Sequence, residues 1–354
     1  MLIDVRDDNE RAAGMPEGAQ ALPMSVFERD ISSIAPSTSR AILTICASGK
    51  RSLRAAEMLM RMGYTDVASL AGGFQRWQAE SLPIARGEFD AEAAERYSRH
   101  LLLPEVGASG QRKLNSARIT LIGAGGLGSP ASLYLAAAGI GTLTLIDDDR
   151  VERSNLQRQI VHTDARVGEN KAESARIALS ALNPSVRIDL HAYRLRAANV
   201  ESLIEGSDVV IDGADNFPTR YLVDAATRRL RIPLVYGAVH RFSGQVSVFD
   251  ARREDSPCYR CLFPEPPSAG EAPNCAEAGV LGVLPGTIGM LQATEAIKLI
   301  LGIGTSLAGR LLCYDALAAT FRELRLPRDP NCPGCGAHAH FTGYEDLEQH
   351  CAAH

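Results

Sequence analysis

From Ala117 to Asp149 the chain reads ARITLIGAGGLGSPASLYLAAAGIGTLTLIDDD, and this stretch constrains the fold more than any other. Ile119 to Ile122 is a short, β-branched apolar run, the composition of a buried parallel strand. It enters Gly123-Ala-Gly-Gly-Leu-Gly128, which satisfies G-x-G-x-x-G through Gly123, Gly125 and Gly128. The small and apolar residues Ser129 to Ala138 suit a helix packed on a sheet. Leu143 to Ile146 forms a second strand, closed by Asp147 about 20 residues after the glycines. Glycines let backbone N–H groups approach a phosphate at a helix N-terminus, where the dipole favours negative charge. Asp147 is placed to accept hydrogen bonds from a ribose. The fold class expected is α/β, a Rossmann-like doubly wound sheet. By itself the fingerprint says adenine nucleotide, with a nicotinamide cofactor as the default.

The next residues argue against that default. After Asp147 come Asp148-Asp149-Arg150-Val-Glu152-Arg-Ser154-Asn155-Leu156-Gln157-Arg158-Gln159, and then Val167-Gly-Glu-Asn-Lys171. A dehydrogenase needs no dense polar cluster behind its ribose-binding acid. A triphosphate site does, and Arg158 and Lys171 supply cations. A helix is expected over Lys171–Leu182, stopped by Asn183-Pro184. Val209 to Asp212 reads as a further strand ending in Gly213-Ala-Asp215-Asn216, where carboxylates face the ligand crevice of such a sheet. Asp215 is placed to hold Mg²⁺ beside phosphates, to N-cap the expected Phe217–Leu230 helix, or both.

At 354 residues the chain has room for two domains. Its 45% hydrophobic and 22% charged residues are ordinary for globular protein. A formal charge of −5 without a basic stripe argues against a nucleic-acid partner. No stretch is apolar and long enough to span a bilayer, which argues against a membrane protein. The N-terminal MLIDVRDD lacks signal-peptide architecture. The eight cysteines include two C-x-x-C pairs and a Cys-Ala-Ser-Gly-Lys-Arg loop, so metal and thiol chemistry in a reducing cytoplasm is expected rather than a disulfide framework.

The front of the chain carries the thiol chemistry. Leu2 to Val5 and Ala41 to Ile45 read as strands. Cys46-Ala-Ser-Gly-Lys-Arg51-Ser52 follows, and then an amphipathic helix with Leu53, Ala56, Leu59 and Met60 that ends at Gly63. A cysteine between strand and helix receives successive backbone N–H groups, and Lys50, Arg51 and the helix N-terminus add positive potential that stabilises a thiolate. A buried core thiol is the competing reading. The pieces Leu2-Ile-Asp-Val-Arg6, Cys46 to Ser52, Gly63-Tyr64 and Leu70-Ala-Gly-Gly-Phe74, with Trp77 and Pro83, resemble the rhodanese-like sulfurtransferases. The resemblance covers residues 1–84. It implies a smaller α/β domain with a persulfide on Cys46, cradled by the amides of residues 47–51, and with Arg51 supporting the loop. The family usually has a helix and a strand before the Leu-Ile-Asp-Val strand, and here the chain begins at that strand. Residues 85–95, Ala/Glu-rich with Gly87 as a breaker, read as a linker passing into a helix.

Cys258-Tyr-Arg-Cys261 and Cys332-Pro-Gly-Cys335 lie about 70 residues apart, and two such knuckles match a closed tetrahedral zinc site. At that separation the metal would staple a C-terminal segment onto the domain. Paired disulfides are the alternative. Cys313 reads as a core residue, and the tail with His338, His340, His350 and His354 as a solvated terminus. Cys275 sits in a Pro/Gly-rich loop before an apolar helix over Gly286–Leu301, where it can reach a substrate or be a bystander.

From about residue 96 to 336 the chain resembles the MoeB/ThiF family, adenylyltransferases related to ubiquitin-activating enzymes. The motifs are Arg96-Tyr-Ser-Arg99, Gly123 to Gly128, Asp147, Ser154-Asn-Leu-Gln-Arg158-Gln, Lys171, Asp215-Asn216, Cys258/Cys261, Asn274-Cys275 through Gly279-Val280, and Cys332/Cys335. The resemblance implies ATP over Gly126 with Asp147 on its ribose and Ser154, Asn155, Arg158 and Lys171 around its phosphates. Asp215, beside Asn216, would support Mg²⁺ and adenylation. Arg99 would reach the phosphates of a neighbouring subunit, so a homodimer is implied. Cys275 matches a position that in some members links covalently to the carrier. Better-known fusions place the rhodanese module last; here it comes first.

The combined expectation is four segments: a rhodanese-like domain (1–84), a linker (85–95), an adenylyltransferase domain (96–336) and a tail (337–354). The enzyme would adenylate the C-terminal glycine of a ubiquitin-like sulfur carrier ending in Gly-Gly. Sulfur from a donor such as a cysteine desulfurase or thiosulfate would pass through Cys46 to give the carrier thiocarboxylate, with molybdopterin synthesis as the leading pathway. Other readings are activation of a thiamine, cysteine or siderophore-pathway carrier or of a peptide, a non-catalytic carrier-binding scaffold, and, on the glycine fingerprint alone, an oxidoreductase.

Overall fold

The computed structural model describes residues 1–12, 14–85, 87, 89–266 and 279–347. It divides into two compact units, Met1–Arg112 and Lys113–His354.

Among the described residues the first unit contains six short strands: β1 (Leu2–Asp4), β2 (Met15–Pro16), β3 (Gln20–Ala21), β4 (Ile42–Ile45), β5 (Val67–Ser69) and β6 (Ile84–Ala85). A parallel sheet runs β3-β1-β4-β5. Ile3, Val5, Phe27, Ile31, Ile42, Ala55, Leu59 and Tyr64 close its core. Each large apolar side chain buried there contributes about 1.5–3 kcal/mol. The Lys50–Arg61 helix sits against β4 and β5, burying Ser52, Ala55, Ala56 and Leu59. The stretch expected to be linker has structure of its own. β6 pairs with β2, and the Ala91–Arg96 helix is N-capped by Asp90. Phe89, Ala94, Tyr97 and Leu101 bury themselves with Ala12 and Ala108.

The second unit is built on an eight-stranded sheet. Its strands are β7 (Arg118–Ile122), β8 (Thr142–Ile146), β9 (Arg187–His191), β10 (Val209–Asp212), β11 (Leu234–His240), β12 (Ser243–Phe249), β13 (Arg310–Asp315) and β14 (Thr320–Arg325). The spatial order is β14-β13-β12-β11-β10-β7-β8-β9. β9, β8, β7, β10 and β11 are parallel, and β12, β13 and β14 extend the sheet antiparallel. The chain leaves β7 toward β8 on one side and returns to β10 on the other. The crevice at the carboxyl ends of β7 and β10 is therefore the topological switch point, the ligand position of open α/β sheets.

Helices Lys171–Leu182 and Phe217–Leu230 have the expected bounds. The helix expected from Gly286 begins at Val283. Pro285 does not break it, because the first turn has no intrahelical N–H bond for proline to remove. The tail also departs from a solvated terminus. His338 and His340 are exposed, but Tyr344 and Leu347 pack against the main core, and the Ala197 amide donates to Asp346.

Candidate active sites

At the switch point the backbone itself makes the site. Gly123, at φ +90°, turns the chain off β7, and a Cβ on Gly128 would lie 1.9 Å from the Gly123 carbonyl oxygen. Only glycine permits that approach, which brings the Gly128–Ala138 helix up to the strand end. Pro285 and Arg158 flank Gly126, and Gly125 carries the Gln159 side chain nearby.

Asp147, half-buried at the end of β8, accepts from the amides of Ala124 (2.8 Å) and Asp149 (2.9 Å). Burial pushes its pKa up to about 6, against the pull of Lys171 and of those two amides. Lys171 is 8% exposed, and its ammonium donates to Asp149 at 2.8 Å. The carboxylates of Asp147, Asp148 and Asp149 lie within 4.8 Å of one another. Asn170 caps the following helix, its carbonyl accepting from Ala172 and Glu173. Asn155 is buried and accepts from the Glu152 amide. The Ser154 hydroxyl donates to Glu152, and the Arg158 guanidinium to the Ser154 carbonyl.

Asp215 is exposed after β10, its carboxylate meeting the Asn216 amide nitrogen at 3.3 Å. The N-cap of the Phe217–Leu230 helix is Asn216, which accepts from Thr219 at 3.0 Å. Asp215, one residue too early for that bond, leaves its exposed carboxylate beside Asn216 at the carboxyl end of β10. Arg99 lies exposed on the short Ser98–Leu101 helix of the first unit.

Sequence reasoning missed His162. It is buried, with one ring nitrogen 3.1 Å from the Ala124 carbonyl and the other 2.9 Å from the Ser174 hydroxyl. The carbonyl fixes the N–H on Nε2, and burial pulls the pKa down to about 4. His162 therefore pins the glycine turn as a neutral imidazole. No fixed spacing marks it.

The four clustered cysteines behave as one set. Cys258 and Cys332 have sulfurs 3.5 Å apart, Cys261 and Cys335 3.3 Å, and all four fit within 4.8 Å. A disulfide would be about 2.05 Å, and all six described cysteines are unpaired. Tetrahedral zinc with sulfur at about 2.3 Å spaces its ligands close to 3.8 Å, so this set suits a closed four-thiolate ion. Amides of Asp329 and Gly334 donate to the sulfurs of Cys261 and Cys332. Cys275 lies outside the described residues, as do Asn274, His350 and His354.

The first unit carries its own site. Cys46 directly follows β4 and is buried, its sulfur accepting from the Gly49 amide at 3.1 Å and the Ser52 hydroxyl at 3.4 Å. Burial alone would raise the thiol pKa. The Ser52 hydroxyl and the amides of Ser52, Ser48 and Gly49 outweigh it, so the net shift is downward. Arg51 does not hydrogen-bond the sulfur. It forks onto Glu10 at 2.5 and 2.7 Å and approaches Asp7 at 3.6 Å, tying the loop to the segment after β1. Gly73 closes the back of the loop, and the Phe74 amide donates to the Cys46 carbonyl.

The ThiF family model matches residues 97–334, and a rhodanese-like domain model matches residues 1–80. The SAMP-activating enzyme E1 of Haloferax volcanii is 53% identical over 247 residues, covering 70% of this chain and 90% of that one. The sulfur carrier protein adenylyltransferase of Thermus thermophilus is 50% identical over 263 residues, covering 73% and 97%. The adenylyltransferase and sulfurtransferase MOCS3 of Drosophila yakuba is 49% identical over 260 residues, covering 73% of this chain but 57% of its own. Among solved structures, the microcin C7 biosynthetic enzyme MccB in complex with N-formylated MccA has TM-score 0.61 and 21% identity, covering 82% and 86%. At that identity the likeness concerns the fold.

Proposed function

The chain belongs to the ThiF family through residues 97–334 and carries a rhodanese-like domain over residues 1–80; from that premise we propose that it adenylates a ubiquitin-like sulfur carrier and then converts the carrier's C-terminus to a thiocarboxylate. The observation that carries the reading is the pairing, in one chain, of a switch-point crevice lined by Asp147 and Lys171 with a thiol whose sulfur accepts from the Gly49 amide and the Ser52 hydroxyl. The relatives named for sulfur-carrier adenylylation and for sulfur transfer support it, and the latter also support a place in molybdopterin synthesis. Domain limits near residues 84 and 96, a tail from residue 337 and a cytoplasmic homodimer belong to the same proposal.

In this reading ATP lies over Gly126 with its phosphates at the Gly128 helix start. Asp147 takes the ribose. Asn155, Arg158 and Lys171 surround the triphosphate, with Ser154 at the edge, and Arg99 reaches in from a second copy. Lys171 exchanges its contact with Asp149 for phosphate oxygens. Mg²⁺, held by Asp215 beside Asn216, would neutralise phosphate charge. Zinc on Cys258, Cys261, Cys332 and Cys335 would be structural, with no ligand position open.

The carrier's terminal carboxylate oxygen attacks the α-phosphorus, and pyrophosphate leaves. The resulting acyl-adenylate has a leaving group that a free carboxylate lacks. Positioning and fixed positive charge at the phosphates account for the rate. The terminal sulfur of a Cys46 persulfide, loaded by a sulfur donor, attacks the carbonyl carbon and AMP departs. That leaves an acyl disulfide on Cys46. A second thiol, for which Cys275 is our candidate, attacks the Cys46 sulfur, expels the thiocarboxylate and leaves a disulfide for reduction.

The test is exchange of labelled pyrophosphate into ATP with a Gly-Gly-ended carrier present. Exchange should require the carrier. Asp215→Ala should slow it on the order of 100-fold or more, while retaining its fold. Undiminished exchange in that variant would remove Asp215 from the site.

A further inference from the structure

We propose that Arg220 is a positioning residue that fixes the loop carrying Asp215, an inference that rests on Asp215 serving adenylation. Arg220 lies in the first turn of the Phe217–Leu230 helix and is 11% exposed. A buried guanidinium ordinarily takes a carboxylate through two parallel bonds. This one does not. Its Nε stands 3.7 Å from Asp212 and has no hydrogen-bond partner among the described residues. One terminal nitrogen instead donates to the carbonyls of Ala214, at 2.9 Å, and Gly237, at 3.4 Å.

The geometry closes on a single residue. Asp212, buried at the end of β10, accepts from the Ala214 amide at 2.9 Å. Arg220 holds the Ala214 carbonyl, so both peptide groups of the residue preceding Asp215 are clamped. Downstream, Asn216 is fixed as the helix cap. On the other side, Gln292 donates to the Asp212 carbonyl at 2.6 Å. The guanidinium cannot swing away, because the Phe217 and Tyr236 rings lie 5.9 and 5.4 Å from it and the buried Tyr259 hydroxyl sits beside it. Burying a cation to tie the carbonyl before Asp215 to the β11 backbone at Gly237 makes sense if the aim of Asp215 matters, since small misplacements at a reacting centre cost about 100-fold. Lysine keeps the charge but lacks the rigid planar guanidinium that aims this one nitrogen at both the Ala214 and the Gly237 carbonyl.

The experiment is carrier-dependent pyrophosphate exchange by full-length Arg220→Lys, Asp215→Ala and the double variant, with kcat and the KM for ATP resolved and the melting point recorded. Arg220→Lys should lower kcat about 10- to 100-fold, with KM for ATP changed less than about threefold. In the Asp215→Ala background it should cost nothing further, as expected for residues acting through one group. Losses that multiply in the double variant, or a normal kcat in Arg220→Lys, overturn the proposal. Normal exchange by Asp215→Ala alone marks failure of the underlying assignment instead. Should Arg220→Lys fail to fold, Asp212→Asn, which keeps an acceptor for Ala214, is the second variant. It should lower kcat about 3- to 10-fold, again only when Asp215 is present, and an equal loss in both backgrounds overturns the proposal.

Discussion

His162 illustrates what single residues do here. Its imidazole is buried neutral between the Ala124 carbonyl and Ser174, with its pKa drawn down to about 4 chiefly by burial. The unfolded chain protonates this side chain below about pH 6.5, whereas the folded protein resists until about pH 4. Its contribution to stability is therefore complete above pH 6.5 and is lost as the pH falls through that window, at up to about 1.4 kcal/mol per pH unit. For His162→Gln, the stability difference from wild type should shrink steadily from pH 6.5 to 4, read from urea unfolding of the second unit. A difference independent of pH would contradict this account. Neither His162 nor Arg220 was legible in the sequence, because each is defined by partners brought close only by folding. Cys46 and the glycines were legible, since their neighbours along the chain also build their surroundings.

At the scale of elements, legibility followed local chemistry. Asn170 and Asn183 bracket the Lys171–Leu182 helix, so its ends could be read from capping residues. Asn216 took the cap that Asp215 was also offered, because the cap belongs to the residue just before the first helical position. The antiparallel edge of the sheet, β12 to β14, was not read at all. β13 and β14 hold charged residues such as the half-buried Arg310 and the exposed Arg322 and Glu323, which blur the apolar alternation. The tail's anchor was hidden for a similar reason, with Tyr344 and Leu347 the half-buried members of a polar run. Gly73 tests how the Cys46 loop is held. Its φ is +57°, and a Cβ there would lie 2.2 Å from the Cys46 carbonyl oxygen. Gly73→Ala should destabilise the first unit by on the order of 2–3 kcal/mol and slow alkylation of Cys46. A variant as stable as wild type would show that the loop can move aside without cost.

The molecule as a whole joins two kinds of site in one chain. One unit places a nucleotide crevice at the switch point of its sheet, and the other holds a thiol at the end of a parallel strand. No described helix is long and apolar enough to cross a membrane. The central claim is a division of labour, with activation in the second unit and sulfur from Cys46. Its most direct test is the intact mass of a Gly-Gly-ended carrier after incubation with ATP, Mg²⁺ and a sulfur donor, using wild type and Cys46→Ala. The account predicts that wild type replaces one carrier oxygen by sulfur, and that Cys46→Ala stops at the adenylate while its pyrophosphate exchange continues. Thiocarboxylate formed by Cys46→Ala, or loss of exchange in that variant, would contradict it.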